Sequence, residues 1–289
     1  MEYRNPPIPE GINAPPEHPL KNLLILLGGA LVVIVVVLYL LGVAAGYLAR
    51  FIPFSVERDV AAYYLNTNPI QQSAETAPIT EYLQNLADQL APFQDLPDDM
   101  SITVHYWDND QVNAFATLGG HVFISRGLLE KMPNENALAM VVGHEIAHIK
   151  HRHPIASLGR GVVISLAIAA LMGATGGDSL AGLLGDAGLL TQLSFSRAQE
   201  RLSDSEGLTS LIGLYGHGAG ATEPFKVFQE LQRQGFAMPE FLSTHPVNEA
   251  RIEALQQEIS EIGDSTGRGE TQPLPGVVQS VLGNVITPN

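Results

Sequence analysis

The chain has 289 residues, with 30 acidic against 15 basic side chains and a formal charge of −15. A phosphate backbone is gripped by lysine and arginine through counterion release, so this balance excludes nucleic acid as a partner. Cysteine is absent, which rules out disulfides and thiolate metal sites and leaves His, Asp and Glu to hold any metal.

Residues 1–20, MEYRNPPIPEGINAPPEHPL, are proline-rich and aperiodic, the pattern of an extended tail without a core of its own. Between Lys21 and Arg50 lie 28 uncharged residues, including the run Leu31 to Leu38. As a helix they would reach about 42 Å, beyond the roughly 30 Å of a bilayer core. Residues 21–50 are therefore expected to form one tilted transmembrane anchor in the lipid bilayer, with Tyr47, Phe51 and Phe54 at an interface and Pro53 ending the helix. The apolar stretch is too long, and its start too weakly basic, for a cleaved signal peptide. Lys21 on one side stands against Arg50 and Arg58 on the other. The remainder is read as an extracytoplasmic, periplasmic domain behind a single-pass anchor in the cell membrane. Gly42 and Gly46 have the spacing that permits helix pairing.

From Val56 to about Leu90, apolar residues recur at helical spacing with breaks near Asn68-Pro69 and Pro78, which predicts two helices. Ile102 to Tyr106, Val112 to Thr117 and His121 to Ser125 read as short strands, the latter two joined by a tight turn at Gly119-Gly120. Helices follow at about Asn134 to Arg152, Ser196 to Leu214, Pro224 to Gln234 and Asn248 to Ile262. From Gly161 to Ser196 the only formal charges are Asp178 and Asp186. The uncharged run 161–177 is short for a span and is interrupted by Gly173, Gly176 and Gly177. It is expected to form a helical lid over the active site, or an amphipathic hairpin on the bilayer, in preference to a second span. Residues 263–289 read as a loosely structured C-terminal tail that wraps or frays. The fold expected is mainly α with a small β-sheet, an α+β domain over residues 56–262.

The decisive stretch is Val141-Val-Gly-His144-Glu145-Ile-Ala-His148, an HExxH inside an apolar helical pattern. Residues four apart share a helix face, so His144 and His148 can offer two imidazoles to one ion while Glu145 stands ready to take a proton from the attacking water. A catalytic zinc takes a third protein ligand, usually from another helix. Glu200 supplies it, and Asp204, four residues on, can orient a ligating imidazole, that of His144 by preference. On its own the Glu200/Asp204 pair would instead read as a surface ion pair with Arg197 or Arg201. His151 stands about 10 Å along the axis from His144, too far for one tetrahedral ion, and with Lys150, Arg152 and His153 it is expected to complement the dipole at the helix C-terminus.

The sequence resembles the gluzincin endopeptidases, which include HtpX-type heat-shock membrane proteases and type I CAAX prenyl endoproteases. The resemblance runs from about Val56 to Ile262 and rests on VNAFATLGGHVFISRGLL at 112–129, HEIAHIKHRH at 144–153, SRAQERLSD at 196–204 and THPVNEARI at 244–252. It implies a zincin-like metallopeptidase domain in which the residue matching Glu200 is the third ligand; Ser203 stands where the family has alanine. It further implies that His245 hydrogen-bonds the oxyanion, with Arg251 in support, and that Asn113, Ala114, Phe115 and Ala116 lie on an edge strand that pairs with an extended substrate. The bland alternatives are a helix-start residue for His245, a surface cation for Arg251 and an ordinary hairpin for the strand.

The resulting expectation is a membrane-anchored endopeptidase with one Zn2+ per chain, hydrolysing internal peptide bonds of proteins. The resemblance implies processing or quality control of membrane or envelope proteins. The rival is a non-catalytic, membrane-tethered chaperone or binding module with a structural zinc, marked by a fourth protein ligand such as His245. A prenyl-protein processor would require several spans, against the one that is clear here.

Overall fold

The computed structural model describes residues 18–67, 73–171, 195–233, 241, 244–246, 248–262 and 269–285. Helix α1 (Pro19–Ala49) is the one helix among the described residues long and apolar enough to cross a membrane. After the turn at Pro53 come α2 (Phe54–Thr67) and α3 (Ala77–Leu90). Pro78 lies in the first turn of α3, where its missing N–H has no helical partner to lose, so it starts the helix rather than breaking it. The break at Asn68-Pro69 falls outside the described residues.

Strands β1 (Thr103–Trp107), β2 (Ala114–Ala116) and β3 (His121–Ser125) form a sheet in the order β1-β3-β2, with β1 parallel and β2 antiparallel to β3. Gly119 and Gly120 have φ of 71° and 86°, the left-handed region glycine enters without strain. A Cβ on Gly120 would lie 1.9 Å from the Ser101 carbonyl oxygen, so the turn can take no side chain there. Period-two alternation sends Val104, Tyr106, Ala114, Ala116, Val122 and Ile124 into the core. The opposite face carries an aromatic row in which Trp107 meets Phe115 edge to face and Phe115, Phe123 and His105 stack.

Beneath the sheet runs α5 (Glu135–Lys150), buried from Asn136 to Ile149 and preceded by the short α4 (Arg126–Lys131). Asn134 caps α5 by accepting from the Ala137 N–H at 2.9 Å. Two tyrosines fix its first turn, Tyr82 and Tyr215 each donating to a Glu135 oxygen at 2.9 Å. Next come α6 (His153–Leu171), α7 (Arg197–Tyr215), α8 (Glu223–Arg233), α9 (Glu249–Ile262) and α10 (Gly276–Val285). A capping box of Ser196 and Gln199 opens α7, and Gly216 at φ 77° closes it.

Two expectations are corrected. The lid expected over 161–196 does not hold for its described part: residues 161–171 continue α6 along α1, away from the ligand-bearing helices, while 172–194 lie outside the described residues. The loose tail expected from residue 263 is tied down where it is described. The Gln272 carbonyl accepts from the Glu135 N–H at 2.8 Å, Asn136 Oδ1 accepts from the Gln272 N–H at 2.8 Å, and Val278 on α10 is fully buried. Those bonds satisfy groups at the start of α5, so the described residues 269–285 pack as part of the domain.

Candidate active site

The site forms where α5 and α7 cross. At the crossing Gly143 meets Gly207: a Cβ on Gly143 would lie 3.2 Å from the Gly207 Cα, and one on Gly207 would lie 3.0 Å from the His144 nitrogen. Backbones can approach this closely only without side chains between them. Gln94 secures the contact by donating to the Gly143 carbonyl at 2.7 Å and to Ser210 Oγ at 2.8 Å. Lys150 adds a salt bridge to Glu206 at 2.8 Å near the end of α5.

One turn from this crossing, His144, His148 and Glu200 converge with His245, their ligand atoms all within 4.8 Å of one another and all four residues buried. His148 Nε2 is 3.0 Å from His144 Nε2, and Glu200 oxygens lie 3.6 Å and 3.5 Å from His144 Nε2 and His148 Nε2. Ligands about 2.0–2.1 Å from a tetrahedral ion stand roughly 3.3 Å apart, so these separations are those of a metal site. Charge points the same way. Glu145, Glu200 and Asp204 oppose the single guanidinium of Arg251, all of them at most 4% exposed, which leaves two formal negative charges that a dication would balance.

Arg251 is no surface cation. Its Nε and Nη2 donate to the two Asp204 oxygens at 2.7 Å each, its Nη1 lies 2.8 Å from Glu200 Oε2, and Nη1 also donates to the Pro246 carbonyl. Phe225 covers it, 5.1 Å from ring centroid to guanidinium carbon. Burial alone would raise the Asp204 carboxyl and lower the Arg251 guanidinium; their mutual pairing reverses both shifts. Asp204 Oδ1 lies 2.9 Å from His144 Nδ1.

Glu145 accepts from the Ala116 N–H through Oε2 at 2.8 Å. Its Oε1 has no hydrogen-bond partner among the described residues and lies 3.6 Å from His245 Nε2. His245 is fully buried under Phe241, with Nδ1 3.0 Å from Glu200 Oε1 and 3.3 Å from His144 Nε2. Burial would lower its pKa, but the Glu200 and Glu145 carboxylates outweigh burial and raise it. Ala114, Phe115 and Ala116 form the edge strand β2 beside Glu145 and Asn113 directly precedes it, all four buried.

His153 escaped the sequence reading, which assigned it to the helix dipole. Its Nδ1 lies 2.9 Å from His148 Nδ1 and its ring is 4.9 Å from that of His148. Burial, aided by the nearby charges of His151 and Arg50, pushes its pKa down to about 3. It is therefore neutral and can accept a hydrogen bond from the Nδ1–H of His148, which leaves His148 Nε2 bare toward an ion. The signal was the HRH ending of the helix; what hid it was the reversal at Arg152, whose φ of 57° turns the chain back onto α5. Of the residues assigned to the dipole, only Lys150 and His151 stay at that helix end, both against Glu206.

The sequence pattern of peptidase family M48 matches residues 78–259. The chain is 31% identical over 173 residues to the mitochondrial metalloendopeptidase OMA1 of Saccharomyces cerevisiae, covering 54% of this chain and 48% of that protein. It is 32% identical over 197 residues to the mitochondrial metalloendopeptidase OMA1 of Danio rerio, covering 63% and 40%. To the beta-barrel assembly-enhancing protease of Escherichia coli K12 it is 28% identical over 190 residues, covering 60% and 37%. The matched region thus spans less than half the length of each of these curated relatives.

Metal content separates the roles of these residues. Glu200→Ala should lose its metal on dialysis against a mild chelator, whereas His153→Ala should retain the site with roughly 10–100-fold weaker affinity. Wild-type retention by both variants would refute both assignments.

Proposed function

The chain belongs to peptidase family M48, and from that premise we propose that it is a membrane-anchored zinc endopeptidase whose ligands are His144, His148 and Glu200. The observation that carries the reading is Glu145: one carboxylate oxygen is held by the edge strand and the other stands without a partner beside the donor cluster. A structural metal site has no use for such a group. Zinc fits the donor set of two imidazoles and one carboxylate, one ion per chain; when bound, it supplies Lewis-acid polarisation of the scissile carbonyl and acidifies water.

The protein's own groups do the rest. Ala116 fixes Glu145 Oε2, so Oε1 is the oxygen that takes the proton from the attacking water and returns it to the leaving nitrogen. Asn113 and Thr117 bond to Ser125 and His121 of β3, so by antiparallel alternation Ala114 and Ala116 turn their main-chain groups the other way. With the Ala116 N–H given to Glu145, the Ala114 N–H and C=O and the Ala116 C=O are the groups that pair with an extended substrate. The side-chain amide of Asn113 has no hydrogen-bond partner among the described residues, which suits it to a substrate carbonyl. Arg251 and Asp204 hold Glu200 and His144 in place, and His245 donates to the oxyanion.

The proximity of His245 to the other three donors favours a second reading, in which it is a fourth ligand closing a non-catalytic site. The substrates proposed are membrane or envelope proteins undergoing processing or quality control, supported by the membrane-crossing character of α1. For the domain an extracytoplasmic face is proposed.

Glu145→Gln should keep metal and fold while losing casein hydrolysis; undiminished turnover would remove Glu145 from the mechanism. His245→Ala should keep its metal and lose about 10²–10³ in kcat if the histidine serves the oxyanion; a gain in activity would instead mark it as a closing ligand. Val60 is exposed on α2, so Val60→Cys should react with an impermeant maleimide added outside intact cells, and reaction only after lysis would reverse the orientation.

A further inference from the structure

The helix that bears the metal ligands is joined to the anchor side of the molecule by two residues. α5 ends at Lys150, His151 and Arg152 make the turn, and α6 begins at His153, which touches His148. Arg152 grips the base of the anchor, donating through Nη2 to the Ile52 carbonyl at 2.6 Å and through Nε to the buried Glu57 at 2.7 Å.

From this joint α6 runs back along α1. A Cβ on Gly159 would lie 3.0 Å from Ala49 Cβ, one on Gly46 would lie 2.9 Å from Arg160 Cγ, and one on Gly42 would lie 3.7 Å from Ile164 Cδ1. Advancing along α6 therefore means descending α1 toward its N-terminus. Gly42 precedes Arg50 by eight residues, so at Ile164 α6 has reached about 12 Å into the helix read as crossing the membrane, well inside a hydrocarbon core roughly 30 Å thick. Residues 161–171 carry no charge. Ile164 and Leu166 are 41% and 40% exposed and continue the apolar surface of α1, where Val37, Leu40 and Leu41 are likewise exposed.

Charge and aromatic residues mark where this surface stops. Arg160, bonded to Ser157 at 2.7 Å, is the last charge on α6. Arg50 follows the end of α1, and Arg58 lies 6.0 Å from the centroid of the Phe54 ring, which Arg152 of the joint also approaches, at 5.6 Å. In a chain of formal charge −15, Arg50, Arg58 and Arg160 gathered at one end form a basic collar that complements anionic headgroups. Tyr47 and Phe51, exposed by 61% and 69%, stand at the same level and suit the interfacial zone.

We infer that α6 is a second membrane-embedded helix, paired with α1, and that the two hold the His144–His148–Glu200 site at the bilayer surface, so that the substrates are membrane-protein segments lying next to the bilayer. His148 stands only two residues, about 3 Å along the helix, before the end of α5 at Lys150, where the joint to α6 begins. The membrane placement stands on the packing alone; the substrate class rests on the peptidase reading.

Because the chain lacks cysteine, single cysteines report without background. The full chain would be placed in nanodiscs of phosphatidylcholine and phosphatidylglycerol and treated with a charged maleimide. Ile164→Cys and Leu166→Cys should react as slowly as Leu40→Cys in α1, at least about tenfold more slowly than Val60→Cys, and equalise with it after denaturation. Reaction at the Val60→Cys rate would overturn the placement, and ready oxidation of Ile164→Cys to a disulfide dimer would assign the face to a second copy instead of lipid. For the substrate class, a co-reconstituted single-span protein would carry one cleavable sequence either about 10 or about 60 residues from its span on a flexible spacer. The near sequence should be cut several-fold faster, and equal rates would overturn the juxtamembrane preference. If neither is cut and casein also survives, the peptidase reading fails and takes the substrate class with it, while the maleimide rates still decide the membrane placement.

Discussion

The crossing of α5 and α7 at Gly143 and Gly207 sets the scale of the whole site. Two backbones in contact bring Glu200 and Asp204 within reach of the imidazoles on the facing helix, and a methyl group at either glycine would meet backbone atoms at 3.0–3.2 Å. Packed interiors do not yield gradually to such a change; they shift whole elements. A shift of even part of an ångström would spoil ligand separations of 3.0 to 3.6 Å.

Holding three carboxylates in so dry a place has an electrostatic cost that the surrounding groups offset. Arg251 spans Glu200 and Asp204 from the far side, and its own burial is made tolerable by those carboxylates and by the Phe225 ring. Glu200 shows the balance directly. Burial alone would raise its carboxyl, yet His245, His148 and His144 hold it well below the usual range. His148 goes the other way, driven well below its ordinary value mainly by burial, which keeps it neutral and suited to ligation. The residual negative charge is what suits the cluster to a cation.

A second network ties this centre to the anchor. Glu57 on α2 faces both Arg152, at the end of the ligand-bearing helix, and the Gly119 N–H, in the turn that follows the edge strand. Burial pushes its carboxyl up and Arg152 draws it down, with burial the stronger. The turn after α1, through Arg152, the turn after HExxH and the turn after β2 thus meet around one buried side chain, and α1, α5 and the edge strand share a common footing.

Much of this was legible before any coordinates. The uncharged run before Arg50 and the i,i+4 histidines each carry their meaning within a few residues, because helix periodicity alone decides which side chains share a face; the Glu200/Asp204 pair took its reading only from the HExxH elsewhere in the chain. The three strands and the helices at α5, α7, α8 and α9 followed from the same local rules, while α10, in the stretch read as a loose tail, did not. What no local pattern contained was the meeting of distant segments. The partnership of His153 with His148 depends on a left-handed residue at Arg152, the burial of Arg251 on two helices folding over it, and the fate of residues 161–171 on whether α6 found α1 or the cleft. Gly143 and Gly207 read in sequence as mere weak points of two helices. Only their juxtaposition, 64 positions apart in the chain, makes them the closest contact of the site, because a missing side chain matters only to whatever backbone comes to fill its place.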